Sequence, residues 1–262
     1  MSAAAQPLPV DVRLMNAVAS LLYAAVAIAM AAAALGWAAR QPLFAVTRIV
    51  VEGEVAHSSV ATLRANVASR LSGNFLTVDL AQARDAFEDI PWVRRAVVRR
   101  EFPNVLRVTL EEHRAVAFWG VDGGSVLVNS FGEVFEANPG DVEGDALPRL
   151  SGPEAQAREV LATWQAIAPL FEHLDLRVES LTLTGRGSWN AVLDTGARLE
   201  LGRGSTAEVV QRTEQFVTTI TQAASRYGRR PEALVAADLR HADGYAIRLR
   251  GVSTVGADAQ KK

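Results

Sequence analysis

An uncharged apolar run near the N-terminus constrains the possible folds of this chain more than any other sequence feature does. Residues 17–39 read AVASLLYAAVAIAMAAAALGWAA and include no charged side chain. As a helix the run would be roughly 35 Å long, enough to cross a hydrocarbon layer about 30 Å thick. Arg13 and Arg40 bracket it, and Trp37 lies near one end, where an indole ring would reach the lipid headgroups. We therefore expect one transmembrane helix, with almost all of the chain on one side of the membrane.

Two other interpretations of the run remain open. A cleaved signal peptide has a shorter apolar core of about 7–15 residues, but the small residues at positions 34–39 resemble a cleavage site. A buried helix of a soluble domain is also compatible with the run, because alanine is only weakly apolar. Charge does not decide the orientation, since Arg13 on one side faces Arg40 and Arg48 on the other.

Composition argues against several classes of function. The net charge is only -2 and no basic block is present, so a nucleic-acid-binding surface is not indicated. The absence of cysteine excludes disulfides, thiol catalysis and cysteine metal sites. The four histidines have no metal-ligand spacing, and residues 202–205 lack a phosphate-loop pattern. We expect no catalytic residue, no cofactor and no metal.

The 262 residues are enough for about two folded domains, and the first follows the apolar run. Three strands are predicted there, at residues 46–51, 93–100 and 105–111. Ser59 and Asp79 are suitable N-caps for two intervening helices. The apolar positions of the first helix are Val60, Leu63, Val67 and Leu71. The order β-α-α-β-β predicts a small sheet covered by two helices, an α+β module.

The second domain is predicted to be a mainly antiparallel sheet with flanking helices. Residues 125–129 and 133–136 flank a turn and indicate a hairpin. Amphipathic helices are predicted at 153–173 and 206–227; the first has Val160, Leu161, Trp164, Ile167 and Leu170 on its apolar side. The remaining strands are predicted at 181–183, 189–193, 198–201, 234–240 and 244–250. The small, polar residues after 252 indicate a disordered tail.

Five sequence segments carry a resemblance to a known family. The string DIPWVRRAVVRREFPNVLRVTLEEHRAVAFW at 89–119 resembles the end of the POTRA domain in the bacterial FtsQ/DivIB cell-division family. Two segments resemble the start of that family's β domain: GEVF at 132–135 and LPRLSGPE at 147–154. Two match its later strands: GRGSWNAVLDTGARLELGR at 185–203 and VAADLRHADGYAIRLRG at 235–251. Their order behind one membrane helix makes the resemblance specific over about residues 15–252.

The resemblance implies a domain plan and a function. It implies a cytoplasmic tail at 1–15, a transmembrane helix at 16–39, a POTRA domain at 44–113 and a β domain at 114–252, with 253–262 as the disordered tail. Such proteins are single-pass type II proteins of the cell inner membrane, with both domains in the periplasm and a concentration at the division septum. They are non-enzymatic scaffolds that recruit the FtsB–FtsL pair and link early division proteins to septal peptidoglycan synthesis.

The resemblance also implies partner-binding residues at the last two strands and the turn between them. Carried over by position, these are Arg240, His241, Asp243, Gly244, Tyr245 and Ile247, with Arg186 as a more distant candidate. His241 departs from the aromatic residue that many family members have there. An edge strand at 244–250 can accept a partner strand, and its exposed Arg248 would lie near the partner's carboxylates. The alternative is an ordinary amphipathic strand with Tyr245 in the core.

Two rival functions would each require sequence features of their own. A POTRA-bearing envelope transport or assembly factor is expected to have a β-barrel or repeated POTRA units, and the sequence indicates neither. A membrane-tethered hydrolase needs a reactive constellation of side chains, and the motifs of this chain do not supply one.

Overall fold

The computed structural model describes residues 10–39, 44–53, 55–57, 63, 67, 70, 73–120, 124–142, 146–241 and 244–252. The chain is an α+β protein with an N-terminal apolar helix, as the sequence predicts. It divides into two compact units, Met1–Glu112 and His113–Lys262.

The N-terminal helix α1 spans Val10–Ala39. Within the described ranges it is the one helix long and apolar enough to cross a membrane, and its apolar span Asp11–Ala38 has no buried part. A core helix of a soluble domain buries one side against its neighbours. The exposure of α1 therefore favours lipid as its surroundings.

A three-stranded sheet forms the rest of the first unit. Its elements are β1 at Arg48–Gly53, α2 at Leu80–Glu88, β2 at Val93–Glu101 and β3 at Val105–Glu112. The strand order is β1-β3-β2, with β1 parallel to β3 and β2 antiparallel to it. The alternation expected in the third strand is confirmed, because Leu106, Val108 and Leu110 are all buried.

Local signals explain the helices of this unit. Asp79 is the N-cap of α2, and its carboxylate accepts hydrogen bonds from the backbone N–H groups of Ala81 and Gln82 at 2.8 and 3.2 Å. This confirms the predicted cap. In the preceding helical segment Leu63 and Val67 are helical and buried. Ser59, Val60 and Leu71 of that prediction lie outside the described residues.

The second unit is built on a nine-stranded sheet with the order β12-β11-β10-β9-β8-β7-β4-β5-β6. Five neighbouring pairs are antiparallel and three are parallel, so the prediction of a mainly antiparallel sheet is confirmed. The strands are β4 Ala115–Trp119, β5 Val126–Asn129, β6 Val134–Glu136, β7 Arg149–Ser151, β8 Val178–Leu183, β9 Ser188–Leu193, β10 Arg198–Arg203, β11 Leu234–Asp238 and β12 Ala246–Leu249.

Two long helices pack against each other and against this sheet: α3 at Ala157–Glu172 and α4 at Thr206–Ser225. A capping box of Ser205 and Glu208 starts α4, and the hydrogen bonds that Glu208 accepts from the Ser205 N–H and hydroxyl lower the pKa of its carboxyl. In α3, Val160, Leu161 and Ile167 are buried as predicted, whereas Trp164 and Leu170 are only partly buried. Phe171, which the prediction omitted, is fully buried.

Candidate functional site at the last strand

Strand β12 forms one end of the nine-stranded sheet. Its only neighbour among the described residues is β11, with Asp238 opposite Ala246, Ala237 opposite Ile247 and Ala236 opposite Arg248. The other side of β12 is therefore an open edge in this part of the chain.

The pairing shows which backbone groups face that open edge. The Arg250 N–H donates to the Ala233 carbonyl at 2.8 Å. Successive residues of a strand direct their backbone groups to alternate sides, so the groups of Arg248 and Ala246 also face β11. Those of Ile247 and Leu249 must then face outward. The Leu249 carbonyl accepts from the Val252 N–H at 3.3 Å, which leaves the Leu249 N–H and both backbone groups of Ile247 for an added strand.

Side chains alternate along the same strand. Tyr245 and Ile247 are half-buried and Leu249 is buried, whereas Ala246 and Arg248 are exposed. The predicted division of the strand into two faces is confirmed. One face packs on the unit, and the other is available to solvent or to a partner.

Tyr245, the residue before β12, packs against α4. Its ring meets Phe216 edge to face, with centroids 4.9 Å apart, and its hydroxyl lies 2.8 Å from the Thr219 hydroxyl. Tyr245 therefore has a packing role within its own unit, which is the alternative left open by the sequence. A half-buried tyrosine can keep that role and still present part of its ring to a partner.

Arg240 is held at the end of β11 by two carboxylates. Its Nε and Nη2 donate to the two Asp238 oxygens at 2.8 and 2.6 Å, and Nη2 lies 3.1 Å from Glu200. These hydrogen bonds from Arg240 hold the pKa of Asp238 at about 2. The same carboxylates raise the pKa of the Arg240 guanidinium. The side chain is still 58% exposed, so Arg240 is held at the end of β11 and remains accessible.

A groove of about 530 Å³ lies between α4 and the β11–β12 loop. His241, Gly244 and Tyr245 line one side of it. The α4 side and the residue that follows that helix supply Arg212, Gln215, Thr219 and Arg226, and no carboxylate is among the described residues that line it. The groove is therefore suited to a polar or acidic segment.

The predicted site residues fall into three groups. Arg240, His241, Gly244, Tyr245, Ile247 and Arg248 lie together at the β11–β12 hairpin. Arg186 is exposed in the β8–β9 turn at the same end of the sheet, three strands from β12, or about 14 Å at ~4.8 Å per strand. Asp243 lies outside the described residues.

Sequence reasoning missed two neighbours of this hairpin, the carboxylate that pairs with Arg240 and an arginine that lines the groove. Glu200 lies on β10 and Arg212 on α4, both far from the hairpin along the chain. Asp238 had a local signal, because it is two residues before Arg240 and its carboxylate also accepts the Arg240 backbone N–H at 3.0 Å.

Two of the histidines, His57 and His113, stack on aromatic rings. The His57 ring stacks on Trp92 with centroids 3.9 Å apart, and its Nδ1 lies 3.4 Å from the Glu112 carboxylate. The His113 ring stacks on Phe135 at 4.1 Å. Within the described ranges, no group of three or more His, Cys, Asp or Glu side chains is placed to hold a metal ion.

Comparisons with known proteins decide the family. The family model described as Cell division protein FtsQ/DivIB, C-terminal, matches residues 117–240, and the model for the POTRA domain, FtsQ-type, matches residues 44–113. The chain is 41% identical over 243 residues to the cell division protein FtsQ of Burkholderia pseudomallei, covering 92% of this chain and 94% of that protein. The chain belongs to the FtsQ family of cell-division proteins.

Two further FtsQ proteins support the same assignment. The FtsQ of Thiomonas arsenitoxydans is 36% identical over 97% of this chain and 93% of its own length. The FtsQ of Bordetella pertussis is 36% identical over 91% of this chain and 92% of its own length. The match to the FtsQ C-terminal model ends at Arg240, so β12 of this FtsQ-family chain lies just beyond it.

Proposed function

We propose that this chain is a non-enzymatic, membrane-anchored scaffold of the division machinery that recruits the FtsB–FtsL pair by strand addition at β12. It links early division proteins to septal peptidoglycan synthesis. Membership of the FtsQ family supports the division role. The open outer edge of β12 is the observation that supports the binding mode.

Strand addition needs backbone groups that are free and correctly aimed. Ile247 offers an N–H and a carbonyl on the open side of β12, and Leu249 adds a second N–H. A partner strand that hydrogen-bonds to these groups would extend the sheet by one strand and gain affinity from the main chain. Such an edge is also short, only Ala246–Leu249, which limits unwanted pairing.

Side chains around the edge would select the partner. Arg248 is exposed beside the open edge, and Arg212, Arg226 and His241 line the neighbouring groove. This arrangement favours a partner segment with an extended strand and flanking carboxylates. Arg240 is held at the end of β11 and remains accessible beside the site, and Arg186 at the β8–β9 turn would contact only a partner that also reaches that far along the sheet end.

The apolar helix α1 and membership of the FtsQ family support a location in the inner membrane. We propose that α1 crosses the inner membrane, that the short N-terminal tail is cytoplasmic, and that both folded units are in the periplasm at the division septum. A fluorescent fusion should form a mid-cell band, and depletion should give filaments. A uniform envelope signal with normal division would contradict the division role.

Binding and backbone amide exchange test the mechanism. The full chain in lipid nanodiscs is titrated with the periplasmic segments of FtsB and FtsL, and hydrogen exchange is measured with and without them. We expect binding to protect the Ile247 and Leu249 amides more than their β11-facing neighbours. Binding without that protection would overturn strand addition but leave recruitment standing, whereas no binding would overturn recruitment itself.

A further inference from the structure

Two exposed apolar side chains, Leu76 and Phe102, are connected through Phe75 at one end of the first unit, outside the site described above. Phe102 is 81% exposed and Leu76 is 49% exposed. Phe75 joins them, because it precedes Leu76 in sequence and its ring meets the Phe102 ring edge to face at 6.5 Å. We call Leu76 and Phe102 the apolar tip. Neighbouring exposed apolar side chains are candidates for contact with a membrane or a protein.

The turn that presents Leu76 is closed by hydrogen bonds to the Asn74 side chain. The Asn74 side-chain oxygen accepts hydrogen bonds from the backbone N–H groups of Leu76 and Thr77, both at 3.0 Å. The Thr77 hydroxyl donates to the same oxygen at 3.0 Å. The turn therefore holds Leu76 at its apex with about half of the residue's surface in solvent.

The apolar tip lies where the chain leaves the membrane helix. The Phe44 carbonyl accepts a hydrogen bond from the Phe75 N–H at 2.7 Å, and the Thr47 N–H donates to the Asn104 carbonyl at 3.0 Å. Phe44 is five residues after Ala39, the last residue of α1. Whatever path those residues take, they span at most about 17 Å at ~3.4 Å per residue. The tip is therefore tethered near the end of α1.

The charges around the tip do not oppose a lipid surface. Glu101 precedes Phe102 but is paired with Arg107 at 2.7 Å. Asp79 is engaged in capping α2. Arg48 is exposed at the start of β1, and Arg100 donates to the Val78 carbonyl at 2.6 Å. Basic side chains beside phenylalanine and leucine are the combination that interfacial segments use.

We propose that the apolar tip inserts into the headgroup layer of the membrane that α1 crosses, so that the first unit touches the bilayer at Leu76 and Phe102. The contact would restrict how that unit swings about the short connection to α1. This inference rests on the proposed membrane crossing by α1, and it assigns a lipid surface as the ligand of the tip.

The absence of cysteine allows a direct test on the full chain in liposomes. Nitroxide labels are placed by Phe102→Cys and Leu76→Cys, and their collision rates with oxygen and with a water-soluble nickel complex are compared. Val97→Cys, 39% exposed on β2, and Phe131→Cys, 49% exposed in the second unit, are the controls. We expect oxygen to dominate at positions 102 and 76 and nickel to dominate at both controls. Equal ratios at all four positions would overturn the proposal.

Two further measurements separate the possible failures. A label at Ala29→Cys on α1 reports on the membrane helix itself. Lipid contact at position 29 with water contact at position 102 would refute the membrane contact of the tip and leave the membrane crossing by α1 standing. Water contact at both positions would refute the membrane crossing as well. With the label at the exposed position 45 (Ala45→Cys), the chain with an intact tip is compared with the double variant Phe102→Ser, Leu76→Ser. The double variant should have a lipid-bound population of the label that is about tenfold lower. An unchanged lipid-bound population in the double variant would count against membrane contact by the tip. Protection of the labels from the nickel complex that appears only when a protein partner is added would also count against it.

Discussion

The hydroxyl groups of Tyr245 and Thr219 lie 2.8 Å apart, and this hydrogen bond ties the outermost hairpin of the sheet to α4. The Tyr245 ring adds an edge-to-face contact with Phe216. The edge proposed to receive a partner strand is therefore held on a helix and is not left to move alone. Changes at Tyr245 should affect the stability of the hairpin and partner binding together.

Tyr245→Ala should lower the free energy of unfolding by about 1–2 kcal/mol, less than a fully buried aromatic residue would, and should weaken binding of the FtsB–FtsL segments. Tyr245→Phe is the matched control, because it keeps the ring on Phe216 and removes one hydrogen bond worth about 1 kcal/mol or less. Chemical denaturation and a binding titration on the same samples measure both effects. Unchanged binding by Tyr245→Ala would remove Tyr245 from the site.

Local patterns predicted much of this fold. The Asp79 cap, the alternating Leu106, Val108 and Leu110, and the two faces of β12 all follow from side chains close together in sequence. These features depend on helix capping and on the two-residue period of a strand, which neighbouring residues determine. Such signals are sufficient to place the elements and their buried sides.

The side-chain contacts around the candidate site could not be predicted from local patterns, because they join residues that are far apart in sequence. Arg240 meets Glu200 only because β10 and β11 are parallel neighbours, joined through α4. Tyr245 meets Thr219 because α4 packs beneath the last hairpin. The omission of Phe171 is different, because it follows Ile167 by four residues on the same face of α3, and the helical period alone predicts its burial. The identity of the edge strand is itself a property of the whole strand order.

Arg248→Glu should weaken partner binding by about tenfold and leave the free energy of unfolding within about 0.5 kcal/mol, because the side chain is exposed and faces solvent. Arg198→Glu is a closely matched control. Arg198 is also exposed and shares a row of the sheet with Arg248, since both lie opposite Ala236 on β11. Equal losses for the two variants would indicate a general charge effect and not a contact at the edge. The Arg248 effect should shrink as salt rises.

The Asp238–Arg240 pair should make the hairpin sensitive to acid. The pKa of Asp238 is about 2 in the folded chain, below the value of about 3.9 expected when unfolded. A lowered folded pKa means that the stabilisation is complete above about pH 4 and is lost as the pH falls through about 2. Asp238→Asn should therefore be less stable than the parent chain at pH 5, and the two should converge towards pH 2.

Denaturation between pH 5 and pH 2 measures that difference. Arg240→Gln, alone and combined with Asp238→Asn, completes a double-mutant cycle. Because the two side chains bond to each other, the double variant should lose less than the sum of the single variants. Strictly additive losses, or a gap that persists to pH 2, would show that the pair does not stabilise the hairpin.

Ile247 allows the backbone contribution to be separated from the side chain. Its N–H faces the open edge, so Ile247→Pro removes a donor that β11 does not use, at a position where an edge strand tolerates proline. Ile247→Ala removes a similar amount of half-buried side chain and keeps the N–H. If a partner strand pairs with this edge, Ile247→Pro should bind the FtsB–FtsL segments at least about tenfold more weakly than Ile247→Ala. The proline variant loses a main-chain hydrogen bond, and its ring obstructs the added strand. Both variants should retain the amide protection of β9 and β10 in the free chain. Equal affinity of the two variants would show that the partner is held by side chains alone.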